Sequence, residues 1–204
     1  MFTGIVSDIG LLRDITQLDH GKRLTIKTNY SCSDIAIGAS IACDGVCLTV
    51  VDKEDDWFAV EAWQEALDLT TIDHWQVGKK INLERSLCLG DELGGHLVFG
   101  HVDTVAKIIS ITPEGSALRF LIDLPRSIEA FIAPKGSVCL NGTSLTINCV
   151  NEYSFDVLLI DHTLKVTNWS YIGEGSYVNV EIDQLARYSV RYAQLRDRGD
   201  QVSE

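Results

Sequence analysis

Along the chain the apolar positions come in short β-branched runs rather than long helical stripes: Leu24-Thr25-Ile26, Ser40-Ile41-Ala42, Leu48-Thr49-Val50-Val51, Trp57-Phe58-Ala59-Val60 and Lys80-Ile81-Asn82-Leu83. Turn residues bound them, most clearly Asp44-Gly45 and Asn141-Gly142, dipeptides that favour tight hairpins. About six such strands per hundred residues predict an antiparallel all-β fold. A closed barrel is preferred over a sandwich because closure removes exposed strand edges. From Asp183 onward the pattern changes. Leu185, Tyr188, Tyr192 and Leu195 recur at three- and four-residue steps, which predicts an amphipathic helix. Its apolar stripe packs either on its own domain or against another subunit.

The pattern is written twice. Ser40-Ile41-Ala42-Cys43-Asp44-Gly45-Val46-Cys47-Leu48-Thr49-Val50 reads against Ser137-Val138-Cys139-Leu140-Asn141-Gly142-Thr143-Ser144-Leu145-Thr146-Ile147, an offset of 97 from Cys47 to Ser144. The same offset pairs Phe58 and Val60 with Phe155 and Val157, and Gly78 to Glu84 with Gly175 to Glu181. Near the front the offset is 96, matching Gly4, Val6, Ile15-Thr16 and Arg23 to Gly100, Val102, Ile111-Thr112 and Arg119. Agreement this long in fixed register predicts two tandem domains of one fold, joined near Arg85 to Gly95. We divide the chain into an N-terminal barrel (1–90), a C-terminal barrel (91–186) and a helix with tail (187–204).

Composition narrows the function. The 204 residues carry 29 Asp plus Glu against 17 Lys plus Arg, a net charge of −12, with 46% hydrophobic residues and three prolines. That is a folded rather than a disordered composition. The acidic balance, with no basic cluster, argues against nucleic acid and anionic membranes. No apolar run reaches the roughly 18 residues of a spanning helix, and MFTGIVSDIG lacks the marks of a secretion signal, so a cytoplasmic location is the default. The six cysteines show no CxxC pair or zinc-finger spacing, so reduced thiols and no metal are expected.

Five segments stand in order: MFTGIV, Cys47-Leu48-Thr49-Val50, Asn82-Leu83-Glu84-Arg85, GGHLVFGHVD (Gly94 to Asp103) and Asn141-Gly142-Thr143-Ser144-Leu145-Thr146. Together they resemble the riboflavin synthase family over essentially the whole chain. The resemblance implies two six-stranded barrels with a C-terminal helix, assembled as a homotrimer. Each barrel holds one 6,7-dimethyl-8-ribityllumazine, and the first barrel of one subunit meets the second barrel of another. A four-carbon unit passes between the two lumazines, giving riboflavin and 5-amino-6-(ribitylamino)uracil with no cofactor. Association with lumazine synthase is left open. The repeat gives such a reaction a physical basis, because two identical reactants need two similar pockets held together.

The copies differ at Cys47 against Ser144, Ile5 against His101 and Ser86 against Asp183. The implied chemistry takes a proton from the C7 methyl of one lumazine and adds a nucleophile at C7 of the other. His101 is the proton-transfer candidate, since imidazole titrates near neutral pH, with a structural histidine as the alternative. His96, in the same segment, reads equally well as a linker residue. Cys47 is either a thiolate at the acceptor or a small core residue, and the other five cysteines are assigned to the core. By resemblance Ser144 and Thr146 lie beside substrate. Asp183 would polarise Ser144 or accept a proton, a role compatible with capping the helix.

The resemblance also implies binding stretches. These are Gly4, Ile5 and Val6; Cys47, Leu48 and Thr49; Glu61, Ala62, Trp63, Gln64, Glu65 and Ala66; Gly100, His101 and Val102; Lys135; Ser144, Leu145 and Thr146; and Ile160, Asp161, His162, Thr163, Leu164 and Lys165. Thr49, Glu65, Thr146 and His162 are candidate partners of the ribityl hydroxyls. Ala66, Asp44, Phe99 and Asp161 depart from the usual pattern, and Ala66 removes a hydroxyl from the first pocket. The rival class is a non-catalytic lumazine- or flavin-binding antenna or carrier. Such relatives tend to lose the Gly-Gly-His and Ser-Leu-Thr segments, and both are present.

Overall fold

A computed structural model describes residues 1–197. The first half forms six antiparallel strands: β1 (Asp8–Leu18), β2 (Gly21–Lys27), β3 (Ser40–Cys43), β4 (Val46–Lys53), β5 (Trp57–Trp63) and β6 (Lys80–Arg85). They close into a barrel in the order β1-β2-β5-β4-β3-β6. The second half repeats the topology strand for strand with β7 (Thr104–Glu114), β8 (Ala117–Asp123), β9 (Ser137–Leu140), β10 (Thr143–Val150), β11 (Ser154–Leu159) and β12 (Tyr177–Ile182). The chain is therefore two closed six-stranded barrels followed by a helix, α3 (Gln184–Asp197).

The repeat extends to irregularities. Register shifts fall between Leu12 and Asp14 in β1 and between Ile108 and Ser110 in β7. A second pair falls between Val50 and Asp52 in β4 and between Ile147 and Cys149 in β10. Bulges bend strands, and a barrel this small needs them to close. Asp44-Gly45 and Asn141-Gly142 both have positive φ at both positions, as the two-residue hairpin turn requires.

Each barrel fills with matching side chains. Leu12, Leu24, Ile26, Phe58, Val60, Ile81 and Leu83 in one, and Ile108, Phe120, Ile122, Phe155, Val157, Val178 and Val180 in the other, are all fully buried. Each contributes roughly 1.5–3 kcal/mol by leaving water. Trp169 meets Phe120 edge to face at 5.0 Å between ring centroids.

Between the barrels lies a polar seam with pseudo-two-fold symmetry. Asn82 Nδ2 donates to the Asn141 carbonyl and Asn179 Nδ2 to the Asp44 carbonyl, both at 2.8 Å. The hairpin turns touch at the axis: a Cβ added to Gly45 would lie 2.6 Å from the Gly142 nitrogen. Buried Asp44 pairs with Lys79 at 3.1 Å and accepts from Asn168 Nδ2 at 2.8 Å.

Three expectations need amendment. Two six-residue helices absent from the strand reading, α1 (Gln64–Leu69) and α2 (Asp161–Val166), follow β5 and β11. They are too short to leave a helical period in sequence. The last helix starts at Gln184, inside the segment assigned to the second barrel, and positions 198–204 of its assigned tail lie outside the described residues. Cys32, Cys43 and Cys139 are buried, but Cys88 and Cys149 are exposed: Cys88 sits in the connection between the barrels, and Cys149 follows the bulge of β10, paired with Asp156. All six cysteines are free thiols. Among the described residues no helix is long and apolar enough to cross a membrane.

Candidate functional site

The two segments ahead of the barrels exchange places. Residues 1–6 precede the first barrel, yet Gly4 offers its carbonyl to the Ser144 amide of the second barrel at 2.7 Å. The stretch ahead of the second barrel does the reverse, with the Gly100 carbonyl accepting from the Cys47 amide at 2.9 Å. Phe2 and Val98 pair where the segments cross. Both glycines have positive φ, +76° and +75°. A Cβ on Gly4 would stand 2.6 Å from the Ser144 Cβ, and one on Gly100 2.5 Å from the Cys47 Cβ. Only glycine permits so close an approach in that conformation. The residue that follows each glycine is thereby carried to the other barrel.

At the first barrel this builds a cavity of about 450 Å³. Cys47, Leu48 and Thr49 line it from β4, Glu61 and Trp63 from β5, and Glu65 and Ala66 from α1. Gly100, His101 and Val102 arrive from the crossing segment. Cys47 and His101, apart by 54 positions in sequence, thus share one cavity. Trp63 is 59% exposed at the rim. Two members of the expected stretch point elsewhere: Ala62 is buried in the barrel core, and the Gln64 amide donates to Asp68 on the face of α1.

At the second barrel the matching positions carry other chemistry. Ser144, Leu145 and Thr146 replace Cys47, Leu48 and Thr49; the crossing segment supplies Gly4, half-exposed Ile5 and Val6. Ile160, His162 and Thr163 stand where the first barrel has Trp63, Glu65 and Ala66. Leu164 packs toward the second core, and Lys165 is paired along α2 with Asp161 at 2.6 Å. Exposed Lys135 adopts φ +68°, where its counterpart Gly38 has +88°.

The hydroxyl of Ser144 pairs with His96 rather than with Asp183. His96 Nδ1 lies 2.7 Å from Ser144 Oγ, while Nε2 is buried without a partner among the described residues. Burial pushes the His96 pKa below the ordinary imidazole value, and the negative charge of Asp183 opposes that shift, so the ring is neutral at pH 7. The Asp183 carboxylate caps α3, accepting from the Leu185 amide at 2.8 Å. His96 is the residue that sequence reasoning underweighted. Its signal was the Gly94-Gly95 pair before it: a Cβ on Gly95 would lie 2.1 Å from the Thr3 carbonyl and 2.8 Å from the Ser144 Cβ, so the glycine lets His96 reach the serine.

A family model for the lumazine binding domain matches the chain twice, over residues 3–86 and 99–183. A riboflavin synthase of Brucella abortus is 58% identical over 96% of this chain and 100% of its own length. The chain belongs to the riboflavin synthase family. Other riboflavin synthases, from Photobacterium phosphoreum and Bacillus subtilis, are 36% and 35% identical, each over 94% of this chain. Among solved structures, LumP complexed with riboflavin matches with TM-score 0.82 and 28% identity, covering 89% of this chain and 99% of LumP. LumP complexed with 6,7-dimethyl-8-(1'-D-ribityl) lumazine matches with TM-score 0.80. In this riboflavin synthase family member, the two matched domains are the two barrels, and the matched ranges begin just where the crossing segments enter.

Proposed function

We propose that the chain dismutates two molecules of 6,7-dimethyl-8-ribityllumazine, giving riboflavin and 5-amino-6-(ribitylamino)uracil by transfer of a four-carbon unit. The observation that carries this reading is that equivalent positions of the two barrels carry unequal chemistry, Cys47 with His101 around the first cavity and Ser144 with His96 at the second barrel. A reaction between two copies of one molecule needs two similar receptors, and making the encounter effectively unimolecular supplies a large share of the barrier reduction.

Within this reading, backbone groups of the strand ends read the pyrimidine edge of each lumazine, and Thr49, Glu65, Thr146 and His162 face the ribityl chains. His101 moves the proton of the C7 methyl group. Cys47, a hydroxyl or water adds at C7 of the partner lumazine, and neutral His96 takes up or returns the proton of Ser144. Asp183 holds the start of α3 and raises the negative potential around His96. The chain acts as a cytoplasmic homotrimer in which the first barrel of one subunit faces the second barrel of the next. Exposed Leu185, Tyr188 and Tyr192 on α3 and the apolar rim residues Trp63, Leu69 and Ile160 support a covering subunit.

Incubating the pure chain with 6,7-dimethyl-8-ribityllumazine alone tests the reaction. Riboflavin absorbance rising without added cofactor is the expected result. The likeness to LumP bound to riboflavin favours ligand capture by the same fold. Tight binding with no turnover would therefore replace the enzyme by a carrier. Light scattering coupled to size exclusion tests the trimer, and a monomeric mass would remove it.

A further inference from the structure

Each barrel closes its last strand with a buried glutamate that forms no salt bridge among the described residues. Glu84 on β6 is 7% exposed and Glu181 on β12 is 1% exposed. A carboxylate this deep is costly unless its oxygens are satisfied. Backbone amides of the crossing segments satisfy them. Glu84 accepts from the Thr3 and Gly4 amides at 2.7 and 3.0 Å, and from the Thr3 hydroxyl at 2.7 Å. Glu181 accepts from the Phe99 and Gly100 amides, both at 2.7 Å. In each case the bonded pair ends on the positive-φ glycine that sits against the facing barrel, one residue before the side chain delivered there.

We propose that Glu181 is a positioning residue for the first pocket and Glu84 for the second, each clamping the segment that carries His101 or Ile5 across to the other barrel. The inference rests on reading the first pocket as a lumazine site. A carboxylate suits the clamp because its two oxygens accept from two parallel N–H groups. Glutamine has one acceptor, and its amide nitrogen would oppose an N–H. Burial raises both acids above the ordinary glutamate value while the amides pull them back. A raised acid contributes stability below the unfolded pKa, and that contribution is lost as pH rises through the folded one. The geometric effect of each carboxylate falls on what the crossing segment presents.

The test uses Glu181→Gln and Glu84→Gln in the full chain. Glu181→Gln is expected to lower kcat about tenfold or more, to move the His101 imidazole resonances, and to shift Tm by only a few degrees. Glu84→Gln is expected to leave those resonances in place. In a cycle with His101→Ala, Glu181→Gln should add little further loss, because the residue it positions is gone, whereas Glu84→Gln should keep its whole effect. An equal loss from Glu181→Gln with and without His101, or unmoved His101 resonances, overturns the proposal. If Glu181→Gln does not fold, amide exchange in the unaltered chain decides: protected Phe99 and Gly100 support the clamp, and exchange at free-peptide rates overturns it. Resonances and exchange need no turnover, so a chain that binds without reacting would fail the riboflavin assay and still pass here.

Discussion

The two barrels share topology, bulges, core positions and crossing segments, and they part where a ligand would meet side chains. The first barrel's cavity receives His101 and presents Cys47; the matching positions at the second barrel receive Ile5 and present Ser144, backed by His96. Duplication of a scaffold supplies two barrels of one topology, and a few changes at matched positions make one different from the other. One such difference falls on the residue after each crossing glycine, where the backbone geometry is the same and only the side chain changes, as it also does at Cys47 against Ser144.

Making the pockets alike at that position should have the largest effect. His101→Ile gives the first pocket the residue of the second, and turnover should fall about 10²–10⁴-fold, the range of a general acid–base group. Lumazine affinity, measured by fluorescence titration, should change far less. An unchanged kcat would remove His101 from proton transfer.

Next comes the crossing itself. Gly100→Ala places a Cβ 2.5 Å from that of Cys47 and 2.8 Å from its nitrogen, at a φ that L residues avoid. The segment must move, and a displacement of about 1 Å costs on the order of 100-fold in turnover. Gly38 is the control, since it has positive φ but open space around its Cβ position. Gly38→Ala should lose about 1–2 kcal/mol of stability from backbone strain alone, with kcat retained. Lys135, at the same place in the second barrel, already accepts a side chain there. Equal kcat losses for the two variants would refute crossing as the cause.

Ser144→Ala probes the other pocket. It strands His96 Nδ1 in a buried site whose Nε2 already lacks a partner, and should cost about 1–3 kcal/mol by chemical denaturation. His96 also sets a pH response. Its folded pKa lies below the unfolded value of about 6.5, so the unfolded chain binds the proton more readily. Stability is present above that value and falls as pH drops through the lowered one. His96→Gln should flatten the stability profile below about pH 6.5, and an unchanged slope would contradict a buried neutral ring.

What could be read from the residues followed from what local pattern encodes. Alternation and turn dipeptides announced the strands, and the offsets of 96 and 97 announced the second barrel, because barrel cores repeat their buried positions. The change of offset falls between β2 and β3, inside the barrel, and nothing local said that Gly4 would rest on Ser144 rather than on its own barrel. That contact spans 140 positions and leaves no periodic trace. The role of His96 stayed open between site and linker for the same reason, its serine lying 48 positions away. Glu84 and Glu181 stood in view as part of a repeated motif, but a carboxylate bonded to backbone amides has no side-chain partner in sequence to point to.

The smallest expected effect concerns the one charge that breaks the symmetry of the polar seam. Asp44 stands opposite Asn141, and Lys79 and Trp75 oppose Ser176 and Ile172, so the first barrel holds an ion pair and a cation over an indole where the second holds neutral groups. Asp44 is fully buried, and burial raises its pKa against the pull of Lys79, Asn82 and Asn168. The contribution of such an acid is present below about pH 3.9 and lost as pH rises through the folded value. At neutral pH the carboxylate therefore offsets its own desolvation only in part. Asp44→Asn keeps an oxygen for the Asn82 amide and Asn168, and gives up the Lys79 pair, whose lysine is 29% exposed and can be rehydrated. Gain and loss nearly cancel, so the variant should stay within about 1 kcal/mol of the parent at pH 7, with kcat unchanged and a flatter stability profile above pH 4. A loss of several kcal/mol would mean that the pair holds the barrels in register, and that the asymmetry of the pockets extends into the seam between them.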